Sequence, residues 1–114
     1  MNKNVGPIPG FGDVVCSRDE AGIHTNVPHR IILHSPTGFE WGYAGSGPAD
    51  FALNILSVYI GQKEAEKLHQ PFKQAFIAAL PENGGVIKRS AVLNWIVWKK
   101  RVDRKKAEKE VCMT

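Results

Sequence analysis

Aromatic residues at positions 39, 41 and 43 alternate with Glu40 and Gly42, a two-residue period typical of a β-strand. Residues 13–17 and 22–27 predict two short strands joined by a polar turn at residues 18–21. Residues 29–35 and 39–43 form a second pair, joined by a turn that contains proline and glycine. This second pair predicts a β-hairpin with three aromatic side chains on one face.

From residue 48 onward the apolar residues follow a helical period. Residues 48–60 predict a first helix, and we expect Gly61 to end it. A second helix is expected around Pro71, which either kinks it or restarts it, and Pro81 ends it. Ser90 is the predicted N-cap of a third helix that runs to about residue 109. The pattern predicts an α+β fold: a small N-terminal antiparallel β-hairpin or sheet packed against three helices, the last extended and basic.

The chain of 114 residues, 43% of them hydrophobic, has the size of one small domain. We expect a flexible arm at residues 1–12, a single α+β domain at residues 13–102 and a basic, solvated helical tail at residues 103–114. The net charge of +4 comes from residues 99–110, which contain seven basic and three acidic side chains. The rest of the chain is neutral, so the charge belongs to the third helix and its tail.

Cysteine usage and hydropathy favour a cytoplasmic protein with no membrane partner. Cys16 and Cys112 make neither a disulfide framework nor a metal-binding pair. The first residues carry glycine and proline instead of a basic segment followed by an apolar run, so a signal peptide is not expected. No apolar stretch approaches the roughly 20 residues of a membrane span. We expect no cofactor.

The best candidate site is the glycine-rich connection between the aromatic strand and the first helix. Gly45 and Gly47 are able to take positive φ, and Pro48 suits a first helical position. Free N–H groups and the positive end of the helix macrodipole favour an anion at such a place. A nucleotide would place its phosphate on the amides and its base on an aromatic ring. The predicted ligand-binding residues are Trp41, Tyr43, Gly45, Ser46, Gly47 and Ala49.

An alternative explanation of the same loop is purely structural. The glycines would then make a tight strand-to-helix connection, with Ser46 or Gly47 as the cap. Asp50 in the first turn would compensate the positive helix end from within the protein.

The third helix is a second candidate surface. Two tryptophans lie one turn apart on it, and tryptophan is enriched at protein interfaces. Basic side chains follow them, and these neutralise phosphates in nucleic-acid binders. Mixed charges that simply solvate a projecting helix are the alternative. The predicted contact residues are Trp95, Trp98, Lys99, Arg101, Arg104 and Lys105.

Catalysis and metal binding receive little support from the sequence. His34 and Ser35 are adjacent, so on a strand they point to opposite faces and are poorly placed to share a proton. Thr37, Glu40 and Asp50 complete no recognisable catalytic arrangement with them. The four histidines lack a ligand spacing such as His-x-x-x-His. We therefore expect no catalytic residue and no metal ligand.

Residues 34–56 carry a long, specific motif. They read His-Ser-Pro-Thr-Gly-Phe-Glu-Trp-Gly-Tyr-Ala-Gly-Ser-Gly-Pro-Ala-Asp-Phe-Ala-Leu-Asn-Ile-Leu. This block resembles the core of an uncharacterised family of small proteins of bacteria and bacteriophages, built around HSPTGFEWGYxGSGPAxLALxIL. The resemblance implies no established activity. It implies a phage or mobile-element setting, in which short proteins bind a host component.

These observations predict a non-enzymatic binding protein. We expect a phage or mobile-element accessory, of the host-takeover or anti-defence type, in the host cytoplasm. Its partner would be a host protein or a nucleotide-type small molecule bound at the glycine-rich loop. One alternative is a protein–protein interaction module or inhibitor that acts through the tryptophans of the third helix, with homo-oligomerisation as a variant. A second alternative is a nucleic-acid binder that uses the basic helix.

Overall fold

The computed structural model of the protein describes residues 4–35 and 37–112 and confirms an α+β fold. The described residues form a three-stranded sheet and three helices: two strands precede the first helix, and the third strand lies between the second and third helices. A single π-helical turn, Lys73–Ile77, follows the second helix. The elements are β1 Val14–Asp19, β2 Gly22–Thr25, α1 Ser46–Ile60, α2 Gln62–Phe72, β3 Gly84–Ile87 and α3 Arg89–Cys112. Within the described residues, no helix is long and apolar enough to span a membrane.

The sheet has the strand order β2-β1-β3 with antiparallel pairing throughout. Val14 lies opposite Ile87, and both are buried on the face towards the helices. Val15 and its partner Val86 point to the other face and are exposed. The two strands predicted at residues 13–17 and 22–27 are confirmed as β1 and β2, and the register decides which face of β1 is buried, since a one-residue shift would exchange the two faces.

Helix α1 is the centre of the molecule, because every residue from 47 to 58 is buried. Phe51 is completely buried and stacks on Phe39 at 4.9 Å between ring centroids. Trp41 lies against the same ring at 5.7 Å. Both aromatic contacts come from the irregular segment that precedes α1, so this segment covers the helix.

Three buried polar residues of α1, Asp50, Asn54 and Ser57, form what we call the polar stripe. The carboxylate of Asp50 accepts hydrogen bonds from the backbone N–H groups of residues 33–35 at 2.8–3.3 Å. Asn54 accepts from the N–H groups of residues 30 and 31 and donates to the carbonyl of residue 31. Ser57 accepts from the guanidinium of Arg30. The stripe thus supplies the partners that a neighbouring strand would otherwise provide.

The predicted hairpin over residues 29–35 and 39–43 is wrong. Apart from Pro36, which lies outside the described residues, residues 26–45 have no helix or strand. The backbone N–H groups of residues 30, 31 and 33–35 bond to the polar stripe, and the N–H of Gly42 bonds to the carbonyl of Ile77. The alternation of Phe39 and Trp41 reflects burial against α1, whereas Tyr43, the third aromatic of the pattern, is exposed.

The helix ends differ from their predictions in three places. Helix α1 begins at Ser46, so Pro48 occupies its third position, and Gly61 ends it with φ +85° as expected. Pro71 lies inside α2, which passes directly into the π-helical turn. Helix α3 begins one residue before Ser90, and its first N–H donates to the carboxylate of Asp13 at 2.8 Å. A distant side chain, not Ser90, caps this helix.

Residues 4–12 of the predicted arm lie against the first two helices. The N–H of Ile8 donates to the carbonyl of Val58, and Val5 exchanges hydrogen bonds with Gln62. The predicted tail continues α3 to Cys112, and residues 101–109 are exposed.

Replacing Asp50 by asparagine is expected to destabilise the fold by about 3 kcal/mol, because a neutral amide accepts the three backbone N–H groups less strongly than a carboxylate. The free energy of unfolding in urea measures this loss. Asp103→Asn is the matched control, since Asp103 is exposed and paired only with Lys99. It should cost less than about 1 kcal/mol. Equal losses in the two variants would contradict the role of Asp50.

Alanine at Gly84 should destabilise the protein more than alanine at Gly22. Both glycines have positive φ, at +98° and +119°, and an alanine there costs about 1–2 kcal/mol. A Cβ at Gly84 would also overlap the backbone carbonyl of Cys16, whereas a Cβ at Gly22 meets no atom within 4 Å. Thermal unfolding of both variants gives the comparison, and a Gly84 variant no worse than the Gly22 variant would contradict the tight packing of β3 on β1.

Candidate ligand-binding cleft

A cleft of about 890 Å³ lies between the β1–β2 hairpin, the irregular segment and the start of α1. Its lining is mainly polar, with basic, hydroxyl and aromatic side chains converging from three parts of the chain. The polar and aromatic residues that line it are Arg18, His24, Thr25, His29, Ser35, Thr37, Phe39, Glu40, Tyr43 and Ser46. Gly47 contributes its backbone.

The N-terminus of α1 opens into this cleft. Gly45 is the N-cap residue, and the N–H of Ala49 makes the first helical hydrogen bond to its carbonyl. No side chain of the described residues caps the helix, and its first turn contains no acidic residue. The N–H groups of Ser46 and Gly47 therefore have no hydrogen-bond partner among the described residues, and both residues line the cleft.

Asp50 does not satisfy these amides. Its carboxylate accepts hydrogen bonds from the backbone N–H groups of residues 33–35 instead. Compensation of the positive helix end by the charge of Asp50 alone, without a hydrogen bond to these amides, stays an alternative prediction.

The two glycines of the loop serve close packing and not positive φ. Gly45 has φ −134°, and Gly47 is helical. A Cβ on Gly45 would lie 2.5 Å from the ring of Tyr43, and one on Gly47 would lie 2.9 Å from Cβ of Glu40. Neither glycine uses the positive φ that the sequence allows, and the chain needs their missing side chains instead.

The two aromatic residues proposed for stacking lie in different places. Tyr43 is 53% exposed and lines the cleft. Trp41 is only 2% exposed; its indole N–H donates to the carbonyl of Glu82, and the guanidinium of Arg18 covers its ring at 4.7 Å. Trp41 therefore belongs to the core, and Tyr43 has the free ring. Ala49 is buried behind the helix end.

The charged groups of the cleft are paired with one another. Arg18 and Glu40 form two hydrogen bonds at 2.8 and 3.1 Å, and the guanidinium lowers the pKa of the Glu40 carboxyl. Asp19 accepts from His24 at 2.9 Å, and this bond lowers the pKa of Asp19. Arg18 and Glu40 carry opposite charges that compensate each other, and the uncapped N-terminus of α1 adds the positive end of its macrodipole to the same cleft.

The suspected catalytic residues do not act on one another. Nε2 of His34 lies 2.9 Å from Nε2 of His69, and the hydroxyl of Ser35 lies 3.1 Å from that of Thr37. Burial lowers the pKa of His69. No histidine contacts either hydroxyl in these bonds, so the residues do not form a nucleophile and its base.

The two tryptophans of α3 differ in exposure. Trp95 packs edge-on against Phe72 and Phe76, at centroid distances of 5.2 and 6.4 Å. Trp98 is 55% exposed and forms one wall of a shallow apolar groove with Pro71 and Ala75. Of the predicted basic contacts, Lys99 pairs with Asp103 at 3.2 Å. Arg101, Arg104 and Lys105 are exposed on the same helix.

Sequence reasoning missed the side of the cleft formed by the β1–β2 hairpin. Arg18, His24 and His29 reach it only because β1 pairs in the middle of the sheet and residues 26–30 turn back over α1. The sequence around these residues contains no local motif that predicts this approach.

Comparisons with known proteins identify a family and no activity. Neither the search of curated proteins nor the search of solved structures found a match. A family model matches residues 10–98, which include the sheet, α1, α2 and the first part of α3. The match covers well over half of the chain, and the protein therefore belongs to a family of unknown function, DUF6166.

Proposed function

We propose that the protein is a non-enzymatic binding protein and that its cleft takes a small anionic ligand, a nucleotide or a phosphorylated metabolite. The observation that carries the proposal is the uncapped start of α1 in the wall of a polar cleft of about 890 Å³. Backbone N–H groups at a helix N-terminus bind phosphate and carboxylate groups because the donors and the macrodipole act together.

Each part of the cleft has a role in this proposal. The N–H groups of Ser46 and Gly47 hold the phosphate, and the exposed ring of Tyr43 stacks on the base or sugar. The hydroxyls of Ser35 and Thr37 supply further polar contacts. Arg18 lines the cleft without adding net positive charge, because its ion pair with Glu40 neutralises the guanidinium.

We place this activity in a phage or mobile-element accessory of the host-takeover or anti-defence type. The support is the motif at residues 34–56, which resembles small proteins of bacteria and bacteriophages. The ligand or partner would then be a host component in the host cytoplasm. A retained small molecule in native mass spectrometry of protein purified from a bacterial lysate would supply the ligand class directly.

A protein-interaction module is the second candidate function, and the exposure of Trp98 favours it. A 55% exposed tryptophan beside an apolar groove is a typical anchor for a partner side chain or helix. The basic residues that follow on α3 would attract an acidic partner. They would equally serve a nucleic-acid binder, which a steep fall of affinity with salt would reveal.

The cleft proposal predicts opposite effects of Ser46→Asp on stability and on binding. A carboxylate at the first helical position should stabilise α1 by about 0.3–1 kcal/mol, because it compensates the helix end. The same charge should repel a bound phosphate and lower its affinity at least tenfold. AMP and inorganic phosphate are the probes, and amide NMR shifts of Ser46 and Gly47 report binding.

Ser46→Asn is the matched control, since it keeps the size of aspartate without its charge, and it should retain binding. Tyr43→Ala should weaken AMP but not inorganic phosphate, because only AMP has a base to stack. The proposal fails if AMP shifts amides elsewhere, or if Ser46→Asp binds AMP as well as the native protein does.

The interaction-module candidate predicts that Trp98→Ala abolishes capture of a protein partner without loss of stability, because the side chain is half exposed. Val97→Ala is the control, since Val97 has a similar exposure of 56% but lies on another face of α3. Affinity capture followed by mass spectrometry measures the outcome. A partner retained by the Trp98 variant would exclude this surface.

A further inference from the structure

One face of α3, which begins at Trp98, combines an apolar groove with positive charge. The groove has a volume of about 400 Å³. Pro71 of α2 and Ala75 of the π-helical turn line one side, and Trp98 and Lys99 of α3 line the other. Beyond the groove, residues 101–109 of α3 are exposed. A large exposed apolar side chain beside such a groove is typical of a protein-binding surface.

Basic side chains continue this face along the helix. Arg101, Lys105 and Lys109 follow Trp98 by three, seven and eleven positions. On a helix of 3.6 residues per turn, these spacings place all three within about 60° of the direction of the tryptophan. Val102, four positions on, is 37% exposed and adds an apolar contact. We call Trp98, Arg101, Val102, Lys105 and Lys109 the Trp98 face.

The acidic side chains of residues 99–109 lie outside the Trp98 face. Asp103 and Glu108 follow the tryptophan by five and ten positions, which turns them about 80° or more away from it. Among the described side chains, the ion pairs of α3 join Lys99 to Asp103 and Lys100 to Glu64. None of the three bases of the Trp98 face takes part in these described pairs, so their charge can act on a partner.

The apolar groove and the positive charge together select the occupant. An amphipathic helix carries an apolar residue at every third or fourth position, and such residues fit a groove between two helical segments. Acidic side chains on the same helix would face the bases, and charge complementarity of this kind steers association. A second copy of the chain fits poorly, because residues 99–110 carry seven basic and three acidic side chains in each copy. A nucleic acid would neutralise the bases, but its phosphates offer no apolar group to the groove.

We propose that the Trp98 face is the docking surface for an acidic amphipathic helix of another protein. The proposal rests on the interaction-module function, names the chemistry of its partner, and is independent of the cleft. One apolar residue of the partner fills the groove beside Trp98, and a second contacts Val102 one turn further on. Carboxylates of the partner pair with the three bases of the face. Because the groove lies at one end of the face, the partner helix lies along α3 with its acidic part beyond the groove.

Binding of a synthetic peptide to the full-length protein tests the proposal. The probe is a dye-labelled peptide of about 18 residues, or five helical turns, with leucine at every third or fourth position and mostly glutamate elsewhere. A peptide of the same composition in scrambled order is its control. Fluorescence anisotropy should show at least tenfold tighter binding of the amphipathic peptide. Trp98→Ala should lower that affinity at least tenfold, whereas Val97→Ala, which is on another side of α3, should leave it unchanged.

Two double variants separate the Trp98 face from net charge alone. Arg101→Gln with Lys105→Gln removes two bases of the face, and Lys100→Gln with Arg104→Gln removes two bases from other sides of the same helix. Both variants lose the same charge, and glutamine keeps a high helix propensity. The first should weaken peptide binding about fivefold, and the second less than twofold.

Four outcomes would overturn the proposal. Equal losses in the two double variants would overturn the role of the bases, and unchanged affinity in Trp98→Ala would overturn the groove. Equal binding of the two peptides, or tighter binding of a thymidine oligonucleotide of similar length, would overturn the choice of partner. Capture of a protein without an acidic helix, lost in Trp98→Ala, would keep the interaction module and overturn only the acidic partner.

Discussion

The buried carboxylate of Asp50 is the interaction on which the architecture depends. It is completely buried, and it accepts from three consecutive backbone N–H groups at residues 33–35. A buried charge is tolerated only when hydrogen bonds replace its hydration, and buried N–H groups need acceptors just as strictly. Each side therefore satisfies the other, and the irregular segment acquires a fixed path without forming a strand.

Asn54 extends this arrangement by one helical turn. Its amide oxygen accepts from residues 30 and 31, while its nitrogen donates to the carbonyls of Ile31 and Asp50. With its backbone held from inside, the segment can place Phe39 and Trp41 on Phe51. The same path leaves Ser35, Thr37 and Tyr43 on the outer side, where they line the cleft. The polar stripe thus determines both the core and the candidate site.

The elements that depend on local pattern could be predicted from the sequence. The short strand at residues 13–17 and the helical patterns of α1 and α3 reflect which faces are buried, and those faces follow directly from side-chain hydropathy. The strand prediction for residues 29–43 was wrong because their alternation arises from burial against a helix. Asp50, Asn54 and Ser57 recur at helical spacing within an otherwise apolar helix, and this polar stripe was the available signal that the neighbouring backbone needed side-chain partners.

The candidate site was predictable only in part, for the same reason. The glycine-rich start of α1 was visible in the sequence, but the side chains facing it from β1 and β2 depend on tertiary packing. Residues 33–35 are bonded to Asp50 from within, while His34 also contacts His69 from outside. Ser35 and Thr37 lie within three residues of His34 in the sequence and line the cleft, so a change in the position of His34 would occur beside the cleft. A ligand bound in the cleft would therefore stabilise the path of the segment that Asp50 holds from within.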